Sequence, residues 1–480
     1  MLSMNAFRHS NFPKRLIAFG VMLIFGFLLL FLLIYFSAQY RVELVIASLA
    51  WAIGGIAVTV LSRNLFLTWF NPLSVYFVVW CSSLSLHYLR LVEFDLLSPR
   101  GLFLTILSML SFLLGCFFAA PKKDTLAGNE TSAFLSESTI KFAEKTLYLI
   151  TFLCLIGSIY WWYRVQQTIG IINAITNPWL FDYEVIWGSL KHVGPMGRLY
   201  AFKNYIIPFS FLLITMNPKR KWLYLFFIIL GMLLVQGTRR GMFFFGISWG
   251  IYAAIISLVI QSRAGLTERV KKVSIFFASL TGLIVIISLV YFAITQNWFA
   301  KSFSYDLPAS YQAQSKLPPQ IADIYLYFCA SHSALEPHIE RGNTVPFQHF
   351  LWVPRKIAHA LFPSVFEEPL PMLDYEGVYI PFWWNASPYI KFIYNDFGVL
   401  GVIIVPFLLG LISSIIFVKA LRSPNPIILM FATYLMMELT RTIIIIGLIQ
   451  YDGYWTIFLL ALWGLCFRIY RKRHETQFHP

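Results

Sequence analysis

The amino-acid sequence predicts an all-α polytopic membrane protein with about twelve transmembrane helices. Two properties of the 480-residue chain predict this class: 58% of the residues are hydrophobic and only 12% are charged, with a mean hydropathy of +0.69. Soluble domains carry about 25% charged residues. Because so few charges cannot cover a water-soluble surface, lipid must surround most of the chain.

Apolar runs of about 20 residues, the length that a helix needs to cross a bilayer, place the predicted spans. Charged residues interrupt these runs and set approximate bounds. The predicted spans are 16–36, 43–61, 66–87, 101–120, 146–163, 203–216, 222–237, 242–261, 274–296, 389–418, 426–447 and 453–469. Spans 203–216 and 222–237 are short, and we expect flanking residues to extend them. The first run is too long for a cleaved signal peptide, and no small-residue cleavage site follows it.

Basic residues predict which side of the membrane each loop faces. More than half of the 37 Lys and Arg residues fall in short loops and tails on the side of both termini, and the rest are spread over a longer opposite face. The positive-inside rule therefore places both termini in the cytoplasm, and we expect the chain to cross a bacterial-type bilayer many times. The same rule accounts for the net charge of +15, so we expect no nucleic-acid partner.

The spans and loops predict three regions. Residues 1–296 form a transmembrane bundle with spans 1–9, and residues 389–480 hold spans 10–12 and a basic cytoplasmic tail. Between them, residues 297–388 form a large extracytoplasmic loop. This loop is rich in aromatic residues and proline and has no low-complexity run, so we expect a helical subdomain rather than disorder.

Arginines gather on the predicted outer side. Arg239 and Arg240 lie in a Gly-Thr-Arg-Arg-Gly turn between two spans, and Arg198, Arg341 and Arg355 face the same side. Each could instead reach lipid headgroups or form a salt bridge. Guanidinium groups, however, grip phosphate in a bidentate manner, and the flanking glycines allow close approach. Together these arginines favour an anionic substrate.

Histidines and acids in the same region are candidates for a general base. His359 lies four residues after Arg355, so a helix would put both on one face, and His338 and Asp396 are further candidates. Asp396 follows Asn395 at the mouth of a span, where a polar pair is costly unless it faces a cavity or a partner. For any single histidine, a packing role in the loop is the alternative. No ligand spacing for a metal is present, so we expect neither a metal nor a cofactor.

Two local patterns complete the candidates. Trp383 and Trp384 beside Asn385 suit stacking on a sugar ring, although an interfacial aromatic belt is the alternative. Glu438 and Arg441, three residues apart on one predicted helix, are expected to form a structural ion pair.

Several of these motifs resemble those of the Wzy family of O-antigen and capsular repeat-unit polymerases. Asn71-Pro72 at the entry to span 3 resembles the family's Asn-Pro entry, and the turn at 237–241 resembles its arginine-bearing turn. The stretch from Arg341 through Val353-Pro354-Arg355 resembles part of its long outer loop. Residues 394–401 (Tyr-Asn-Asp-Phe-Gly-Val-Leu-Gly) resemble its Phe-Gly-x-x-Gly helix opening. The motifs are short, whereas the likeness in topology covers most of the chain.

The resemblance implies a metal-independent glycosyltransferase of GT-C-like fold. Its substrate would be an undecaprenyl-diphosphate-linked oligosaccharide within the lipid bilayer, with a chain-length-determinant protein and a flippase as further candidate partners. The roles assigned by this hypothesis are diphosphate binding by Arg239, Arg240 and Arg355, then Arg198 and Arg341; general base by His359, then Asp396 and His338; and glycan binding by Trp383, Trp384 and Asn385. An O-antigen ligase-type glycosyltransferase or a lipid-linked glycan flippase or other transporter remains the alternative.

Overall fold

The computed structural model describes most of the chain. The described residues are 41–92, 94–121, 134–176, 199–235, 240–263, 266, 268, 270–276, 279, 319–341, 349–362, 365, 378–379, 383–384, 387–443 and 451–477. The predicted span 16–36 lies outside them, as does nearly all of the predicted span 274–296. The predictions for these two segments remain predictions.

The described residues are overwhelmingly helical, and we number the helices in chain order. They are α1 (Arg41–Phe66), α2 (Pro72–Leu89), α3 (Pro99–Phe118), α4 (Glu137–Thr168), α5 (Ile171–Thr176), α6 (Lys203–Met216), α7 (Lys221–Val235), α8 (Arg240–Arg263), α9 (Pro319–Ser333), α10 (Leu335–Arg341), α11 (Trp352–Leu361), α12 (Ile390–Arg422), α13 (Pro426–Arg441) and α14 (Tyr451–Gln477). Short 3₁₀ turns precede α6 and α7 at Tyr200–Phe202 and Pro218–Arg220. A two-residue antiparallel ladder pairs β1 (Val378–Tyr379) with β2 (Trp383–Trp384), which an all-α prediction did not include.

The described helices coincide with ten of the twelve apolar runs that the sequence marks as spans. Five of the described helices are long and apolar enough to cross a membrane: Glu43–Phe66, Pro72–Leu89, Pro99–Phe118, Glu137–Thr168 and Ile390–Arg422. A soluble protein could not shield this much apolar surface from water. The chain is therefore a helical membrane protein.

Contacts between the helices define two ends of the bundle. We call the end at which α2 finishes and α3 and α12 begin the upper end. At the opposite, lower end, Arg263 closes α8 and donates through Nη2 to the carbonyl oxygens of Phe66 and Leu67 at the end of α1, both at 3.1 Å. α8 therefore runs in the same direction as α1. α2 follows α1 after a short turn and packs back against it, since a Cβ on Gly55 would lie 2.7 Å from the Cys81 Cβ, so these two helices are antiparallel neighbours. This alternation agrees with the order of the predicted spans.

A crossing of α3 and α12 joins the two halves of the described bundle. A Cβ atom on Gly115 would lie 2.0 Å from the carbonyl oxygen of Phe407, and one on Gly410 would lie 2.3 Å from that of Phe112. The two backbones can approach this closely only because both positions are glycine. Small residues of this kind commonly mark the packing faces of membrane helices.

A break near the start of α12 directs its first turns away from the rest of the helix. Gly398 has φ 63° and ψ −154°, a conformation that is essentially restricted to glycine. The preceding residues, 390–397, thereby form a separate short segment at the upper end. The second glycine of this motif, Gly401, lies against its own segment, since a Cβ there would come within 2.6 Å of the Ile393 carbonyl oxygen.

Candidate site at the upper end of the bundle

The first segment of α12 is fastened to the bundle by a chain of hydroxyl groups. Tyr389 precedes α12, and its phenol oxygen lies 3.0 Å from the Tyr76 hydroxyl and 2.6 Å from the Ser108 hydroxyl. The backbone N–H of Tyr389 donates to the Thr442 carbonyl at 2.9 Å, and Trp80 Nε1 donates to the Thr442 hydroxyl at 2.9 Å. All of these side chains are buried. Tyr389 is thus held by α2, α3 and the end of α13 at once.

Asp396, a candidate from the sequence, holds the chain segment that leads into α11. Its Oδ1 accepts a hydrogen bond from His349 Nδ1 at 2.8 Å, and its Oδ2 accepts from the backbone N–H groups of His349 and Phe350 at 3.0 and 2.8 Å. Asp396 and His349 are 5% and 2% exposed. The Tyr454 hydroxyl, at the start of α14, donates to the Phe350 carbonyl at 3.1 Å. The turn at residues 349–350 is therefore pinned by a buried carboxylate immediately before α11 begins.

α11 combines a cationic surface with exposed apolar side chains. Arg355 and Lys356 are exposed, His359 is half-buried, and Val353 faces the core. The Lys356 ammonium lies 4.8 Å from the Trp352 ring centroid. Leu351, Ile357 and Phe362 are exposed as well. Exposed cations and apolar side chains on one short helix are typical of helices that lie in a membrane interface.

The structure confirms the predicted helix that carries Arg355 and His359, which the sequence places from residue 353 to about residue 362. Because these two residues are four apart on α11, they share a face. The Asp396 carboxylate accepts a hydrogen bond from the Phe350 N–H, in the segment that precedes this helix. His338 lies on α10 and is buried. The structure thus links Asp396 to the helix of Arg355 and His359 through residues 349–350.

The other candidate residues fall wholly or partly outside the described part of the chain. Arg240 begins α8 and Arg341 ends α10, while Trp383 and Trp384 form β2; the side chains of these four residues are not among those described. The candidates Arg198, Arg239 and Asn385 lie outside the described residues. Their roles remain predictions.

His332 on α9 lies beside His87 on α2, a pairing that the sequence did not predict. His87 accepts from the Leu97 N–H through Nε2 at 3.0 Å, so its Nδ1 carries the proton that is donated to the Cys329 carbonyl at 3.0 Å. The Ser83 hydroxyl donates to the Phe328 carbonyl and therefore accepts from His332 Nε2 at 2.7 Å. Because its Nε2 accepts a hydrogen bond, the His87 imidazole is neutral. Burial lowers the pKa of His332 well below its ordinary value, which favours the neutral form of that ring as well. The two imidazoles join α2, α9 and the loop before α3, which is a structural role.

Buried cations at the upper end were missed as well. Lys203, the first residue of α6, and Lys391, in the first turn of α12, are 6% and 5% exposed. The Lys203 ammonium lies 3.9 Å from the Tyr200 ring centroid, and the Lys391 ammonium lies 5.1 Å from that of Phe392. A lysine at the mouth of an apolar segment is costly to bury, and this signal was available in the sequence. Both residues add positive charge to the end that carries α11.

Arg100 and Arg441 also lie at this end of the bundle. Arg100, in the first turn of α3, donates through Nη2 to the Tyr394 hydroxyl at 2.7 Å. The predicted pair between Glu438 and Arg441 is confirmed, since Arg441 Nη1 lies 2.7 Å from Glu438 Oε1 and both side chains are buried. A buried pair of this kind offsets the cost of burying either charge alone.

No protein-family model matches the chain, and no similar curated protein or solved structure was found for it.

Proposed function

We propose that this chain is a membrane glycosyltransferase that polymerises undecaprenyl-diphosphate-linked oligosaccharide repeat units at the outer face of a bacterial inner membrane. The product would be a surface polysaccharide, either O-antigen or capsule. The observation that carries the proposal is α11, an interfacial helix that presents Arg355 and Lys356 beside His359. A lipid diphosphate bears its negative charge at the depth at which such a helix lies.

The proposed reaction is a displacement at the anomeric carbon of the donor glycan. The acceptor hydroxyl oxygen forms the new bond to this carbon, and the bond between the carbon and the diphosphate oxygen breaks. The electron pair leaves with the diphosphate, and a base takes the proton of the acceptor hydroxyl. Cationic side chains stabilise the charge on the leaving group, which removes the need for a metal in this proposal.

The described geometry supports different roles for the candidate residues. The exposed Arg355 is suited to bind the diphosphate, together with Arg239 and Arg240 and then Arg198 and Arg341. His359 stays the first choice for the base, because it shares a face with Arg355. Three N–H groups already occupy the buried Asp396 carboxylate, so we assign it to positioning α11 rather than to proton transfer. The burial of His338 makes it a weaker base candidate. Trp383, Trp384 and Asn385 would stack on and bind the glycan.

The test is the length of the surface glycan in cells whose own copy of the gene is replaced by a variant. Arg355→Ala is expected to collapse the ladder of glycan lengths on a gel toward single repeat units, and His359→Ala to shorten it. Removing one contact to a developing charge typically costs about 10²–10³-fold in rate. Lys219→Ala, an exposed basic residue at the lower end, is the matched control and should leave the ladder unchanged. Normal long chains in Arg355→Ala at equal protein levels would contradict the assignment.

The same cells distinguish a polymerase from a ligase, and proteoliposomes distinguish it from a transporter. Loss of a polymerase leaves single repeat units attached to their acceptor, whereas loss of a ligase leaves none attached. A pure transporter would form no polymer in proteoliposomes whose lipid-linked repeat units already lie on the side of α11. Polymer formed under that condition would exclude transport as the only function.

A further inference from the structure

A cavity of about 400 Å³ lies at the lower end of the bundle, far from α11. Its walls are formed by the end of α6, the start of α7 and residues 268–276, of which 269 is not described. Its lining residues are Ile214, Pro218, Lys221, Glu268, Lys272, Val273 and Phe276. None of them belongs to the candidate site. The cavity therefore calls for an explanation of its own.

Two lysines and one carboxylate, that of Glu268, line the cavity and leave it with a net positive charge. Lys221, the first residue of α7, places its ammonium 4.8 Å from the Phe276 ring centroid and 5.3 Å from that of Trp222. These contacts restrain a side chain that would otherwise be flexible. Lys272 is exposed and lies four residues after Glu268, which can orient it on the same helical face. Since α7 begins at Lys221, its helix dipole adds further positive potential.

The remaining walls of the cavity are apolar. Ile214, Pro218, Val273 and Phe276 supply this apolar lining. Phe276 also contacts Trp222 edge to face, with ring centroids 6.2 Å apart. A cavity with a charged mouth and apolar walls fits a ligand that is anionic at one end and apolar at the other.

The surface of α7 places this cavity at the boundary of the membrane. Trp222, Phe226, Ile229 and Leu233 are all exposed, and their spacing puts them on one face of the helix. Such an apolar stripe is suited to contact acyl chains. Trp222, which is 67% exposed, ends the stripe beside Lys221, and tryptophan next to lysine is the usual arrangement at headgroup level. The lysines of the cavity thus lie where phosphate headgroups lie.

We propose that this cavity binds the phosphate headgroup of an anionic phospholipid, with Lys221 and Lys272 holding the phosphate and Phe276 contacting the part of the acyl chain nearest the headgroup. The site lies at the end of the bundle that the positive-inside rule assigns to the cytoplasm. It would select lipid from the leaflet opposite to α11, independently of the proposed glycosyl transfer.

The experiment measures lipid binding by the full chain purified in a neutral detergent. Phosphatidylglycerol and phosphatidylcholine are titrated separately, and bound lipid is counted by native mass spectrometry. The test variant is Lys221→Gln with Lys272→Gln. The matched control is Lys219→Gln with Lys271→Gln, because these two lysines are exposed, belong to the same segments, do not line the cavity and remove the same charge.

The wild-type protein and the control should retain phosphatidylglycerol, whereas the test variant should lose about tenfold or more in affinity, the effect of losing one to two charge-assisted contacts. Lys272→Gln alone, at an exposed position that cannot disturb packing, should give a partial loss. Equal affinities in the test variant and the control would overturn the site. Equal affinity of the wild-type protein for phosphatidylcholine would overturn the requirement for net negative charge. Complete competition by glycerol 3-phosphate would overturn the lipid assignment in favour of a soluble phosphate ester.

Discussion

At the scale of single residues, the buried Asp396 carboxylate accepts hydrogen bonds from three N–H groups at the upper end. Asp396→Ala leaves the N–H groups of His349 and Phe350 and the His349 imidazole N–H without their buried acceptor. We expect the unfolding free energy to fall by about 2–5 kcal/mol, because each orphaned donor carries its own desolvation cost.

Thermal unfolding of the purified protein in detergent measures this effect. Asp396→Asn retains one acceptor oxygen and should lose less stability than the alanine variant. Glu137→Ala serves as the control, since Glu137 forms a solvent-exposed pair with Lys141 and should leave the unfolding temperature nearly unchanged. If the alanine variants of Asp396 and Glu137 unfold at the same temperature, Asp396 does not hold the turn before α11.

His332 predicts how stability depends on pH. Burial, together with the neighbouring His87 ring, lowers the pKa of His332 well below its ordinary value near 6.5. Below pH 6.5 the unfolded chain binds a proton at this residue and the folded chain does not. Stability contributed by neutral His332 is therefore present above that pH and is lost as the pH falls, by up to about 1.4 kcal/mol per pH unit.

Unfolding temperatures measured between pH 7.5 and pH 5.5 test this expectation. The wild-type protein should lose more stability over this interval than His332→Gln, which keeps a donor for Ser83 but has no group that titrates there. Identical pH profiles for the two proteins would show that His332 does not contribute.

At the scale of helices, the crossing of α3 and α12 depends on two glycines. Gly115→Ala adds a Cβ that would lie 2.0 Å from the Phe407 carbonyl oxygen, so the helices must separate. We expect a loss of about 1–3 kcal/mol in unfolding free energy, the usual cost of overpacking. Gly54→Ala is the matched control, because a Cβ there meets nothing within 4 Å and alanine favours the helix. A lower unfolding temperature in Gly54→Ala than in Gly115→Ala would contradict this account of the crossing.

Helix positions were predictable from the sequence because apolar length alone determines them in a membrane protein. The residues at which the helices begin and end were harder to predict. α4 begins at Glu137, nine residues before the predicted span, because the Ser136 side chain caps it by accepting from the Thr139 N–H, and the helix thus extends beyond its apolar part. The Asn71-Pro72 pattern forms a capping box with Ser74 and so has a local role in starting α2.

The contacts within the candidate site were predictable only where they are local. Glu438 and Arg441 lie three residues apart on one helix, so their spacing was sufficient evidence. Asp396 and His349 are 47 residues apart, and Ser83 and His332 are 249 apart, so their contacts depend on how distant helices pack. Nothing in the periodicity of the chain contains that information. The break at Gly398 was unpredictable for a similar reason. The sequence shows a glycine there but does not show that it adopts a positive φ.

At the scale of the whole molecule, both ends of the bundle carry basic side chains, but in different surroundings. The lower end holds basic side chains in short turns, including Arg220, which lies 3.3 Å from the Glu144 carboxylate. The upper end holds buried lysines and the cationic helix α11. We predict that the two ends face opposite sides of the membrane, with the lower end in the cytoplasm.

Two engineered cysteines test this orientation in whole cells. Lys271→Cys and Glu340→Cys each place a thiol at an exposed position, in a background in which the exposed Cys466 is changed to serine. The other four cysteines are buried and should react slowly with a membrane-impermeant maleimide. We expect Glu340→Cys to be labelled when only the outer surface of the membrane is accessible, and Lys271→Cys to be labelled only after permeabilisation.

This pair of positions is informative because the predicted span 274–296 is the one apolar run that the sequence places between them. If both thiols are labelled from the same side, that segment does not cross the membrane, and the cavity at the lower end and α11 would share one face. Reversed labelling would instead invert the whole chain and place α11 in the cytoplasm, where a polymerase acting on the outer leaflet could not use it. Labelling of Glu340→Cys from outside alone puts Arg355 and His359 on the side at which the proposed reaction takes place, since Asp396 fastens α11 to the same end of the bundle as α10.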